Sequence, residues 1–180
     1  MGKNKAMLRT GPTIVWHYTT GSNWEGIDAD GRINPATANI SKGERPVVWF
    51  SRADPWEPTA AKAWQFANGS VVRLTREQTH LKFRGLVRIG VSTSNVPLRW
   101  SDFEEQQVAS PSEIRLLEVS GRSQGANPRS WFWRFEPVPR AEWSQVEFWN
   151  GAAWGSTRVH VEEPEQMIVG PGNVWLRPPR

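Results

Sequence analysis

The chain has 180 residues with 22 Lys+Arg against 18 Asp+Glu, a net charge of +4, and no cysteine. That length sets an expectation of one domain, able to bury roughly 70% of its unfolded surface without staples. The missing cysteine excludes disulfide frameworks, thiolate zinc sites, iron–sulfur clusters and cysteine nucleophiles, and fits a reducing, cytoplasmic setting.

Residues 1–12 read as an N-terminal extension, and the stretch from Met1 to Arg9 lacks the apolar centre of a signal peptide. Thr13 to Tyr18, Thr-Ile-Val-Trp-His-Tyr, is β-branched and aromatic throughout and predicts a strand closing into Thr-Thr-Gly-Ser. Ser22 or Asn23 then caps a short helix that stops at Gly31. Arg32 to Ala36 is a short extended piece, and residues 37–46 form an exposed loop, the kind of segment that often holds ligand groups. Pro46 to Ser51, Pro-Val-Val-Trp-Phe-Ser, is a second compact strand. After Asp54-Pro55-Trp56-Glu57-Pro58, a helix is expected from Thr59 to Phe66, ending before Asn68-Gly69.

Gly85 to Val91 alternates so that Arg88 lies on the face opposite Val87 and Ile89. Residues 101–120 predict helix, with Ser101 and Glu104 as a capping box and Pro111 as an interruption. A loop over 121–128 leads to Trp131 to Glu136, where Trp131, Trp133 and Phe135 face one side and Phe132, Arg134 and Glu136 the other. Trp143 to Trp149 is another strand, turned by Asn150-Gly151 toward Trp154. Residues 161–180 form a proline-rich tail, packed on the domain through Met167-Ile168-Val169 and Val174-Trp175-Leu176. Short strands with few helices imply an α+β fold with a largely antiparallel sheet, in one domain over 13–160. No apolar run approaches 18 residues, so no membrane partner is expected.

Two compositional biases bear on function: twelve tryptophans against one tyrosine, Tyr18, and positive charge that is mostly arginine. Guanidinium groups stack on aromatic faces and grip phosphate, which is compatible with nucleotide or nucleic-acid binding, yet no basic block of five occurs. The three histidines, His17, His80 and His160, have no metal-ligand spacing, so no metal is expected. Gly-x-Gly-x-x-Gly, Gly-Lys-Ser/Thr and Gly-x-Ser-x-Gly motifs are absent from the sequence, and any chemistry must come from an assembled site.

The order of parts is Trp16-His17-Tyr18-Thr19 ending a strand, a short helix, an Asp-Gly-Arg-Ile-Asn-Pro turn, Val48-Trp49-Phe50-Ser51, and a late aromatic strand ending in Glu136 before Val-Pro. Over residues 13–60 and 129–149 this arrangement resembles the ADP-ribosyltransferase superfamily, most of all its compact prokaryotic and phage members, DarT-like or anti-CRISPR enzymes. The resemblance implies a split antiparallel sheet gripping NAD, the co-substrate, and transfer of ADP-ribose to a macromolecular acceptor, protein or nucleic acid, in a toxin or counter-defence setting. It implies that His17 bonds the ribose of the dinucleotide, with Thr19 near it, and that Trp49, Phe50 and Ser51 supply a stacking aromatic and a supporting hydroxyl. Tyr18 and Trp64 are further stacking candidates. Glu136 is the implied catalytic carboxylate by its place before the turn, and Glu147, in Gln145-Val146-Glu147, is the alternative. Arg88, with Arg45 and Arg52, is a candidate for the pyrophosphate, and Trp56 and Glu57 are secondary wall candidates. The competing expectation is a non-catalytic or inhibitory module that binds nucleotide, single-stranded nucleic acid or carbohydrate on Trp131, Trp133, Trp149 and Trp154.

Overall fold

The computed structural model describes residues 13–37 and 45–162, and the backbone of two strands at 166–170 and 173–177. The expected N-terminal extension, most of loop 37–46 and the side chains of the tail patch lie outside the described residues.

Strand β1 (Ile14–Thr20) runs straight into helix α1 (Gly21–Asp30). The cap is Thr20, whose side chain accepts from the Asn23 N–H, not Ser22 or Asn23. The helix starts early because Gly21 and Ser22 donate to the carbonyls of Gly85 and Phe83 at 2.8 and 3.0 Å. A Cβ on residue 21 would stand 2.0 Å from the Arg84 carbonyl oxygen, so only glycine admits this approach. Gly31 then closes α1 in the left-handed conformation, as expected.

After β2 (Arg32–Ile33) and β3 (Val48–Ser51), the helix expected over 59–66 is replaced by a single 3-10 turn, Pro58–Ala60, and a hairpin of β4 (Ala63–Gln65) and β5 (Val71–Arg73). Ala61 leaves the turn extended, at φ −61 and ψ 134, and Gly69, at φ 83, reverses the chain. The Asn68-Gly69 turn thus prevails over the helix propensity of the alanines. Helix α2 (Arg76–Lys82), which the sequence pattern did not signal, starts from a Thr75–Gln78 capping box.

Beyond β6 (Leu86–Ser92) and β7 (Leu98–Arg99), the helical stretch is two elements, α3 (Trp100–Glu105) and α4 (Pro111–Ser123). They break at Gln107, with φ 49, and the side-chain capping box belongs to Ser110 and Glu113 instead of Ser101 and Glu104. Pro111 opens a helix, where its missing N–H costs nothing. The remaining strands are β8 (Trp131–Arg134), β9 (Val138–Pro139), β10 (Trp143–Trp149), β11 (Trp154–Gly155), β12 (Gln166–Gly170) and β13 (Asn173–Arg177).

The fold is α+β, as the short strands implied. A seven-stranded antiparallel sheet runs β11-β10-β6-β1-β3-β8-β7, and β2-β9, β4-β5 and β12-β13 form separate two-stranded ribbons. On one face Val15, Val48, Phe50, Val87, Ile89 and Phe132 pack under Trp24 of α1 and under Ile33 and Val138 of the β2-β9 ribbon. On the other, Trp131 and Trp133 pack with Trp100, Phe103 and Ile114 of α3 and α4. Strand alternation assigns the aromatics of β8 to these two faces as the pattern predicted. No helix among the described residues is long and apolar enough to cross a membrane.

Candidate functional site

The ladder between β1 and β3 is thin. Seven register pairs join β1 to β6 and four join β3 to β8, whereas β1 and β3 meet at one, Trp16 opposite Ser51. A cavity of about 350 Å³ opens there, a volume in the range of small-molecule sites.

His17 stands across this gap. Its Nδ1–H donates to the Trp49 carbonyl at 2.9 Å, and because a carbonyl only accepts, the neutral ring keeps a lone pair on Nε2. Burial lowers its pKa to about 4; the Trp49 bond opposes this and Lys62 adds to it. The ring is therefore a neutral imidazole near pH 7, set edge-on to Phe50 at 5.8 Å.

Glu57 is the carboxylate on the cavity wall, 5% exposed. Ser51 Oγ donates to its Oε2 at 2.6 Å, and the Thr59 N–H and hydroxyl donate to Oε1 at 3.2 and 2.8 Å. The local reason is helical: Glu57 caps the 3-10 turn that Pro58 opens. Ser51 is fixed in turn by accepting the Ala53 N–H at 3.0 Å.

Two cations face the same space from the β4-β5 hairpin. Arg73 donates through Nη1 to the Ala61 carbonyl at 2.9 Å, and the Lys62 backbone N–H donates to Thr79 Oγ1 at 3.2 Å. Burial holds the Lys62 ammonium below its usual pKa. The remaining wall is α4, through Leu117, Ser120, Gly121 and Gln124, with the indole of Trp131 behind it. A Cβ on residue 121 would lie 2.5 Å from Trp131 Cη2, so glycine permits this wall to close.

The structure brings His17, Tyr18, Trp49, Phe50, Ser51 and Glu57 to one cavity and leaves other sequence candidates outside it. Glu136 is exposed on the bend after β8, where Arg134 Nε donates to its carbonyl and turns the chain away. Glu147 lies on β10 and accepts from Arg88 Nε at 2.6 Å. Arg88 is 7% exposed and does not line the cavity: it is held by Glu147 and Asp54 and packed on the indoles of Trp16 and Trp154 at 3.8 and 4.8 Å. Thr19 is buried off the cavity wall, and Trp56 meets Tyr18 edge-on at 5.4 Å. Trp64 packs on Phe83 and under Lys82, while Arg45 and Arg52 lie over Phe135 and Phe132.

The exposed tryptophan platforms expected of a binding module are not formed by Trp131, Trp133 and Trp149, which are 8%, 0% and 6% exposed. Lys62, Arg73 and Gln124 are cavity residues that the sequence pattern did not mark; the Asn68-Gly69 hairpin signal was the available clue to the first two. No protein-family model matches the chain, and no curated protein or solved structure matches it.

Proposed function

We propose that this protein is an NAD-dependent ADP-ribosyltransferase acting on a macromolecular acceptor, with NAD seated in the cavity between β1 and β3. The observation that carries this reading is the meeting, at a splayed strand pair, of a neutral histidine and a buried, three-donor carboxylate, His17 and Glu57. An antiparallel sheet in which β1 and β3 share a single register pair is compatible with an ADP-ribosyltransferase-like architecture.

The residues fit the substrate. Trp49, Phe50 and Tyr18 offer aromatic surface for nicotinamide, and Lys62 and Arg73 offer charge for the phosphates, the role that Arg88, already engaged, does not fill. A carboxylate has about four lone-pair sites; three donors occupy Glu57, and one site remains for a ribose hydroxyl. His17 Nε2 is free to accept another. Cleavage of the nicotinamide glycosidic bond leaves oxocarbenium character on the ribose, and a carboxylate bonded to the 2′-hydroxyl stabilises charge that exists only in the transition state. Glu57 takes this role in place of Glu136 or Glu147.

Labelled NAD incubated with the protein and a cell lysate tests this. Label enters a protein or nucleic-acid fraction with wild type and Glu136→Gln and is lost with Glu57→Gln. Intact NAD and label in neither fraction overturns the reading.

A further inference from the structure

Glu57 ends a segment whose three preceding links are each tied to a different strand. Tyr18 Oη of β1 donates to the Ala53 carbonyl at 2.6 Å, Arg88 Nη1 of β6 to Asp54 Oδ1 at 2.7 Å, and Trp154 Nε1 of β11 to the Pro55 carbonyl at 2.7 Å. Trp56 then rests edge-on against Tyr18. Arg88 is the member whose direction is most constrained, because Glu147 takes its Nε and Trp16 and Trp154 pack on the guanidinium.

We propose that Arg88 is the positioning residue of this site, acting through Asp54 to hold segment 52–57 so that Glu57 stands in the cavity. The inference rests on the reading of that cavity as catalytic. It also gives Glu147 a role: it touches no cavity space and acts by orienting Arg88.

Magnitudes separate positioning from mere stability. The Asp54 side chain is 62% exposed against 8% for Arg88, so water can take the place of its carboxylate at Arg88 Nη1 and the net cost to folding is on the order of 1 kcal/mol, about fivefold in the folding equilibrium. A displacement of about 1 Å at a reacting group, by contrast, can cost on the order of 100-fold in rate. Removing the Asp54 carboxylate should therefore leave the melting temperature nearly unchanged and still lower turnover.

The test uses Asp54→Ala, with Asp54→Glu as the conservative variant and Glu147→Gln as a second probe. NAD cleavage, NAD affinity and amide hydrogen exchange are measured on the full chain. Asp54→Ala should cut NAD turnover roughly 10- to 100-fold, leave NAD affinity and melting temperature near wild type, and speed exchange over residues 52–60 alone. Asp54→Glu should restore most of the turnover. Unchanged turnover, or unchanged exchange at 52–60, overturns the proposal. Should wild-type protein leave NAD intact, the catalytic reading of the cavity fails, and exchange in Asp54→Ala still decides whether Arg88 holds the segment. Asp54 is exposed and outside the core, so these outcomes do not depend on the folding of an Arg88 variant.

Discussion

The hydroxyl of Ser51 donates to Glu57 Oε2 at 2.6 Å, and the two residues are 2% and 5% exposed. In Ser51→Ala the carboxylate oxygen stays desolvated without that donor, and the Ala53 N–H loses its acceptor. A buried group left unsatisfied costs about 1–3 kcal/mol, so the unfolding free energy from denaturant melts should fall by that amount and NAD cleavage should fall with it. A Ser51→Ala protein with wild-type stability and wild-type turnover would show that the bond matters to neither.

His17 supplies a dependence on pH. Its pKa of about 4 in the fold lies below the ordinary 6.5, so between these values the unfolded chain takes up a proton that the fold refuses. Its contribution is fully present above about pH 6.5 and is lost as pH falls toward 4, a change of at most about 3 kcal/mol. His80 is also held low by burial and bends stability the same way, so the comparison is between wild type and His17→Gln. Urea melts from pH 7.5 to 4 should give a flatter curve for the variant; parallel curves would count against a buried neutral imidazole.

Two glycines in helices should respond oppositely to alanine. At Gly121 the added Cβ meets Trp131 at 2.5 Å, and overpacking of this kind costs about 1–3 kcal/mol. At Gly26, within α1, nothing lies within 4 Å, and alanine should stabilise the helix by roughly 0.5–1 kcal/mol. Thermal melts of the two variants check both signs, and Gly121→Ala should also move the tryptophan emission maximum by shifting the indole behind the cavity.

The hairpin cations should discriminate among ligands by phosphate. Hydrogen bonds to charged groups contribute about 1.5–3 kcal/mol, so Lys62→Met and Arg73→Met should each weaken ADP-ribose binding at least about tenfold while leaving adenosine binding unchanged. Titration calorimetry at fixed salt reads this directly. Equal losses for both ligands would mean that the two side chains shape the cavity instead of holding an anion.

Elements with a local cause were legible in the sequence. β1 declared itself by its run of β-branched and aromatic residues, β8 by aromatics on both faces, α1 by its Gly31 stop, and the β10-β11 turn by Asn150-Gly151. His17 was legible because it rides on β1, and Trp49 and Ser51 because they ride on β3, whose compact Val-Val-Trp-Phe-Ser run also reads as a strand. Glu57 was visible only as a secondary candidate, because two flanking prolines show a rigid turn without showing what it faces. Its role depends on Ser51 and on anchors from Tyr18, Arg88 and Trp154, contacts that span 6 to 99 positions of chain. Lys62 was expected in a helix, and only the pairing of Ala63 with Arg73 turns that segment into a cavity wall. Glu136 looked well placed by its order before Val-Pro, but order along the chain does not show that β8 ends at Arg134 and releases the next residues to solvent.

The aromatic block of Trp49, Trp100, Phe103, Trp131 and Trp133 has a spectroscopic consequence. Trp100 and Trp131 sit 5.2 Å apart at 84°, and Trp49 and Trp131 6.2 Å apart at 69°. Indole transitions that close, held at fixed oblique angles, couple as excitons and add a couplet to the far-ultraviolet circular dichroism. Helix content read from such a spectrum would be distorted by the tryptophans, while the Trp100–Trp131 couplet itself reports whether α3 is docked on the sheet. Because Trp49 and Trp131 also face the cavity, a ligand that enters it should perturb the same signal, giving a label-free readout of occupancy.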